Sequence, residues 1–153
     1  MVDIVKSSAT EVFEYKDINV LLDNYADKGK SSLISAAARP DIQTYMQLEE
    51  MGLLYVYVAK KNDDIVGLIV TIDNVMPHYT EICTTVESLY VEPEYRKHGT
   101  AKRLVEYAEE EAKVRDSIVM FMSLPHGDML NKVAKSFGFE ASNTVYTKGL
   151  IDE

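Results

Sequence analysis

The chain has 153 residues, 46% of them hydrophobic, and 16 Lys and Arg against 25 Asp and Glu give it a net charge of -9. That length fits a single domain over 1–153 with a sizeable core; the acidic field repels a phosphate backbone, so nucleic acid is not an expected partner, whereas a cationic amine is favoured. No run approaches the roughly 18 apolar residues of a membrane span. Asp3, Lys6 and Glu11 interrupt any signal-peptide core, so the expected location is cytoplasmic, with no membrane partner. Cys83 is the only cysteine, which excludes an internal disulfide and a cysteine metal cluster; followed by Thr84, Thr85 and Val86, it reads as a strand residue.

In chain order, Val12 and Glu14 alternate with Phe13 and Tyr15, which predicts a first strand over Thr10–Lys16. From Asp17 to about Ala38 the spacing of Ile18, Leu21, Leu22 and Tyr25, then Leu33, Ile34 and Ala37, predicts two helical pieces broken near Gly29. Pro40 opens a further amphipathic helix, carried by Ile42, Tyr45, Met46 and Leu48 and ending at Gly52. Leu53–Ala59 and Ile65–Ile72, separated by Asn62-Asp63-Asp64, predict a hairpin, and Ile82–Val91 adds the next strand of an antiparallel meander. Thr100 to about Arg115 is helical, with Leu104, Val105, Ala108 and Ala112 on one stripe. The apolar run Ile118–Leu124 predicts a strand buried on both faces and reached by a helical crossover. A helix from about Asp128 to Phe137, stopped at Gly138, and a last strand around Thr144–Gly149 complete a mixed α+β order.

The segment Leu89-Tyr90-Val91-Glu92-Pro93-Glu94-Tyr95-Arg96-Lys97-His98-Gly99-Thr100-Ala101-Lys102 turns a strand into a helix within a few residues. Such a junction aims unpaired backbone N–H groups and the positive end of a helix dipole at one point, which is what a pyrophosphate requires. Gly99 lets backbone approach the phosphate, and Arg96, Lys97 and Lys102 reverse the local sign of an acidic chain.

These residues resemble the GNAT acetyltransferase superfamily, whose cofactor loop has Gln or Arg, two residues, Gly, one residue, then Gly or Ala: here Arg96, Gly99 and Ala101. The resemblance runs from about Leu54 to the C-terminus and includes Gly138-Phe139. It implies a mostly antiparallel central sheet flanked by helices, with a splayed cleft between the fourth and fifth strands. It further implies that the N–H groups from Lys97 through Lys102, including His98 and Thr100, hold the pyrophosphate of acetyl-CoA. Leu89 and Val91 would then pair with the pantetheine arm, and the Val91 or Tyr90 N–H would polarise the thioester. No metal is called for.

For the chemistry, Glu87 is the candidate general base, since it stands two residues before Leu89 and so shares its sheet face. Its competing role is that of a polar residue on the solvent side of a strand. The tyrosine that many family members carry five residues before the Phe of Gly-Phe is here Ala134. Asn131 is a candidate for bonding the pantetheine arm, and Tyr146 and Tyr90 are substitute hydroxyls unless they merely pack. His78 and His126 lie in loops able to face the cleft, His126 beside Asp128 also fitting a helix start; His98 belongs to the cofactor loop. The expected activity is acetyl transfer from acetyl-CoA to a primary amine, small molecule or protein, in a ternary complex. The alternatives are a non-catalytic acyl-CoA-binding or regulatory domain and a purely structural protein. An exposed last strand leaves a homodimer open.

Overall fold

The computed structural model describes residues 1–19, 41–124 and 127–150. Their elements are β1 Asp3–Ser7, α1 Ala9–Phe13, α2 Ile42–Glu50, β2 Leu54–Lys61, β3 Asp64–Met76, β4 Glu81–Val91, a 3₁₀ turn Pro93–His98, α3 Thr100–Val114, β5 Val119–Met122 and α4 Asp128–Ser136. The strands form one sheet in sequential order, antiparallel from β1 through β4, with β5 parallel to β4. A parallel neighbour needs a crossover, and α3 supplies it.

Alternation along β2 splits the core into two layers. Tyr57 and Ala59 pack with Ile69, Val91 and the α3 residues Leu104, Val105 and Ala108. Val56 and Val58 face the other way, with Val12 of α1 and with Tyr45 and Leu48 of α2. Both faces are therefore covered, which is why β2 reads as an almost continuous apolar run. Gly67 of β3 allows the closest approach. A Cβ there would meet the Tyr90 carbonyl at 3.1 Å and Leu104 Cδ1 at 3.3 Å, so a side chain would push β4 and α3 off the sheet.

Three expectations are corrected. Thr10–Lys16 is not a strand: Ser8, extended at φ -141° and ψ 161°, accepts a hydrogen bond from the Glu11 N–H and caps α1, whose Ala9 and Val12 are buried at helical spacing. Glu49 of α2 accepts the Ala9 N–H at 2.9 Å, and the first strand is Asp3–Ser7, paired with Lys60 through Val56. The segment 141–150 forms no strand and is exposed throughout, so no last strand spans Thr144–Gly149. β5 is consequently half-buried along its length rather than buried on both faces. The helical pieces expected over Asp17–Ala38 fall mostly on residues 20–40, outside the described residues.

One polar cluster joins the sheet to the crossover. Arg115, at the C-terminus of α3, donates from Nε to Asp73 Oδ2 at 2.8 Å and from Nη2 to Asp73 Oδ1 at 3.1 Å. Its Nη1 donates to the Tyr57 hydroxyl at 3.0 Å, and the guanidinium lies 3.6 Å from the Tyr55 ring centre. Thr84 of β4 donates to Asp73 Oδ1 at 2.8 Å and lies 2.8 Å from the Ser117 hydroxyl. Burial pushes the Tyr57 phenol above its ordinary pKa, against the pull of Arg115, so it stays neutral and accepts the guanidinium bond. Because the Arg115 side chain is only 16% exposed, Asp73→Ala strands a charge and is expected to cost about 3–5 kcal/mol in chemical denaturation. A loss under ~1 kcal/mol would show that the pair does not hold α3 to the sheet.

Candidate functional site

The site begins with an irregularity in β4. Val70 pairs with Ser88 and Thr71 with Val86, so Glu87 is an extra residue opposite no partner in β3. Such a bulge bends its strand and increases its twist. On the other edge, β5 pairs with β4 only from Cys83↔Val119 to Val86↔Met122, stopping at the residue before the bulge. From Glu87 to Val91, β4 has no neighbour on that side among the described residues. This gap is the splayed cleft expected between the fourth and fifth strands.

Backbone alternation decides which groups face the gap. The Glu92 N–H donates to the Val66 carbonyl at 2.8 Å, so Glu92, and Tyr90 two residues earlier opposite Leu68, direct their amides to β3. Leu89 and Val91 direct theirs to the open edge. Of the three expected positions, Leu89 and Val91 thus have outward amides, whereas the Tyr90 amide is spent on β3. The Tyr90 ring is buried on the α1 and α2 face, with the Arg96 guanidinium 5.7 Å from its centre.

At the end of β4, Glu92-Pro93 starts the 3₁₀ turn, whose last turn carries Arg96, Lys97 and His98. Gly99 follows at φ 73°, the left-handed region that suits glycine, and caps α3 with no side-chain hydrogen bond. A Cβ at Gly99 would meet nothing within 4 Å, so the backbone there borders open space. The first N–H groups of α3 have no intrahelical acceptor and point out of its N-terminus with the helix dipole. Thr100 is 1% exposed, so its hydroxyl is closed to a ligand. Arg96 Nε donates to the Val91 carbonyl at 2.7 Å, bridging the anion cradle and the slot beside β4. Lys102 stands 3.8 Å from Glu106, a loose surface pair.

Glu87 lies on the opposite face from the one expected. Its Oε1 accepts the Tyr45 hydroxyl at 3.0 Å and its Oε2 accepts the Ser88 hydroxyl, while Tyr45 packs on the α1 and α2 layer and edge-on to Phe13. Leu89 packs with the α3 layer. The bulge shifts the alternation, so residues two apart across it no longer share a face. Tyr45 and Ser88 were missed as site residues because Tyr45 reads only as an apolar position of α2, 42 residues from its partner.

The remaining candidates are scattered. Asn131 is exposed on α4, with its backbone N–H on the Gly127 carbonyl at 3.0 Å. Ala134 is half-buried and accepts the Phe139 N–H at 3.1 Å, a turn-closing position with no hydroxyl to offer. Tyr146 is 91% exposed on a segment that joins no strand. His78 belongs to the β3–β4 loop, at the end of β4 opposite Val91, on the order of 30 Å away by strand rise, and its ring packs on Tyr79 at 5.0 Å. It therefore does not face the cleft. His126 lies outside the described residues. No group of three or more His, Cys, Asp and Glu is placed to hold a metal among the described residues.

The arrangement can bind an anion at a helix N-terminus, pair with an extended polar chain along β4, and present a hydrogen-bonded carboxylate beyond it. A profile of the acetyltransferase (GNAT) family matches residues 22–139. A search of curated proteins finds no match. Among solved structures, an aminoglycoside acetyltransferase from an uncultured soil metagenomic sample, in complex with sisomicin, superposes with a TM-score of 0.77 at 15% identity, over 99% of this chain and 97% of that one. Ribosomal-protein-alanine N-acetyltransferase from Brucella melitensis biovar Abortus 2308 gives 0.72 at 21% identity, over 97% and 98%. Glucosamine-6-phosphate N-acetyltransferase from Arabidopsis thaliana gives 0.74 at 11% identity, over 99% of each. At these identities the superpositions establish the fold, and the family profile, covering most of the chain, establishes the lineage. The chain belongs to the GNAT acetyltransferase family.

Proposed function

We propose that the chain transfers an acetyl group from acetyl-CoA to a primary amine by direct attack in a ternary complex. The observation that carries this reading is the coincidence, at one residue, of the β4 bulge and the end of β5 pairing, which opens backbone amides onto a path leading to Gly99. The pyrophosphate sits against the N–H groups from Lys97 through Lys102, with the charges of Arg96, Lys97 and Lys102 around it. The pantetheine arm runs along Leu89 and Val91 as an added strand would. Since Arg96 holds the Val91 carbonyl in the free chain, its transfer to a phosphate oxygen releases that carbonyl for the incoming arm. Of the two open amides, Leu89 is the nearer to Glu87, so its N–H polarises the thioester carbonyl.

The donor's phosphate end lies at the N-terminus of α3, and Glu87 emerges on the opposite, α2 side. The acceptor therefore enters from the α2 side. Its nitrogen bonds to the thioester carbon, the C–S bond breaks, coenzyme A leaves as thiolate, and the nitrogen gives up a proton to the Glu87 carboxylate, directly or through a water. The Tyr45 and Ser88 hydroxyls hold both carboxylate oxygens. The structural neighbours are named for an aminoglycoside, a sugar phosphate and a ribosomal protein, which have an amine in common, and a net charge of -9 suits a cationic one. A second reading, an acyl-CoA-binding domain without turnover, is favoured by Ala134 at the family's tyrosine position and by the outlying Tyr146.

Gly99→Glu is expected to weaken acetyl-CoA binding by ~100-fold or more in calorimetry, a loss of about 3 kcal/mol, with Gly99→Ala as the control for the left-handed backbone. Unchanged affinity would place the donor elsewhere. Glu87→Gln is expected to retain that affinity while the transfer rate at neutral pH falls by ~10²–10⁴ and the rise of rate with pH flattens; an unaltered pH-rate profile would remove Glu87 as the base. Full binding by the native chain with no thiol release on any amine would favour the second reading.

A further inference from the structure

Transfer of an acyl group from a thioester to an amine moves one proton overall, from the attacking nitrogen to the departing sulfur. Glu87 accounts for its acceptance. Its delivery calls for a donor within reach of the same carboxylate, and the Tyr45 hydroxyl, which donates to Glu87 Oε1 at 3.0 Å, stands there. The β4 bulge brings the two together, since unbroken alternation would turn Glu87 to the α3 layer, away from α2. Tyr45 is held for the contact: its N–H donates to the Asp41 carbonyl in the first turn of α2, and its ring stands edge-on to Phe13 at 5.6 Å. The other carboxylates close to it on α2 are engaged elsewhere. Asp41 accepts the Gln43 N–H and the Thr44 hydroxyl, and Glu49 accepts the Ala9 N–H. The Tyr55 and Tyr57 hydroxyls are likewise committed, to the Gly52 carbonyl and to Arg115.

We propose that Tyr45 is the general acid of the transfer, joined to Glu87 in a proton relay; this rests on the acetyltransferase reading above and adds a catalytic residue to it. Once the amine has attacked, nitrogen and sulfur are substituents of one tetrahedral carbon, so two side chains 3.0 Å apart can serve both atoms. The nitrogen bonds to the thioester carbon and passes a proton to Glu87 Oε1. The C–S bond then breaks, its electron pair goes to sulfur, and the Tyr45 O–H proton follows it there. The phenolate left behind takes the proton held on Glu87, which returns both side chains to their starting states. The products are an amide and a thiol, and nothing is oxidised or reduced.

The pH dependence of kcat at saturating substrates tests this in the native chain, in Tyr45→Phe, and in a chain with difluorotyrosine in place of Tyr45. The acid must be protonated to act, so the rate falls on the alkaline side as the phenol ionises, and a more acidic phenol brings that fall to lower pH. Tyr45→Phe, which keeps the ring against Phe13, is expected to retain acetyl-CoA affinity in calorimetry, to lose about 10²-fold in kcat and to lose the alkaline fall. The difluorotyrosine chain is expected to show that fall at lower pH than the native one. A tyrosine that merely holds Glu87 in place would move the acid side of the profile or KM and leave the alkaline side where it is. That result overturns the relay and leaves Glu87 as the base. Weakened acetyl-CoA binding in Tyr45→Phe overturns it too, by placing Tyr45 in the donor site. A native chain that binds acetyl-CoA but acetylates no amine overturns the transfer reading itself, and the relay with it.

Discussion

Pairing between β4 and β5 ends at Val86 and Met122, where Glu87 inserts an unpaired residue into β4. Much of the rest follows from this. The added twist turns the last residues of β4 away from β5, so that Leu89 and Val91 keep backbone groups that a regular sheet would have consumed. It also moves Glu87 to the face opposite Leu89, so that an open backbone slot and a carboxylate stand on two sides of one strand. A reaction between a long donor and a separate acceptor needs that separation: each partner approaches without crossing the other, and they meet at the strand.

The proposed cradle for the donor's charged end depends on how α3 is hung. Gly67 lets Leu104 and the Tyr90 carbonyl come close to β3, which brings the N-terminus of α3 up against the end of β4. At its other end Arg115 is tied to Asp73, Tyr57 and, through Asp73, to Thr84. A helix fixed at both ends aims its N–H groups and dipole at one place, so an anion held there as proposed would require little reorganisation. The basic residues around Gly99 then act locally, in a chain whose long-range field favours cations.

The elements near the site were legible in the sequence because each carries a local signal with a local cause. The β-branched runs of β2, β3 and β4, the stripe of α3, and the Pro93 to Gly99 junction depend on periodicity and on single residues with restricted backbones. Alternation at Val12 to Tyr15 misled, because the Ser8 cap with Glu11 three residues on is a stronger determinant than four residues of period two. The bulge was invisible: Val-Glu-Ser-Leu is compatible with a regular strand, and only pairing with Val70 and Thr71 reveals the extra residue. For the same reason the partners of Glu87 and the face it occupies were not readable, since Tyr45 comes from an element 42 residues away. The strand expected over Thr144–Gly149 has the composition of one, but composition does not supply a neighbour to pair with.

The most direct test of the account is to follow the backbone amide resonances of the uniformly ¹⁵N-labelled native chain during titration with acetyl-CoA. The account predicts saturable shifts concentrated at Leu89, Val91 and Gly99 through Lys102, with Tyr90 responding less than its two neighbours because its amide is spent on β3. Shifts centred elsewhere, or none at millimolar donor, would contradict the assignment of the slot beside β4 and the N-terminus of α3 as the donor site.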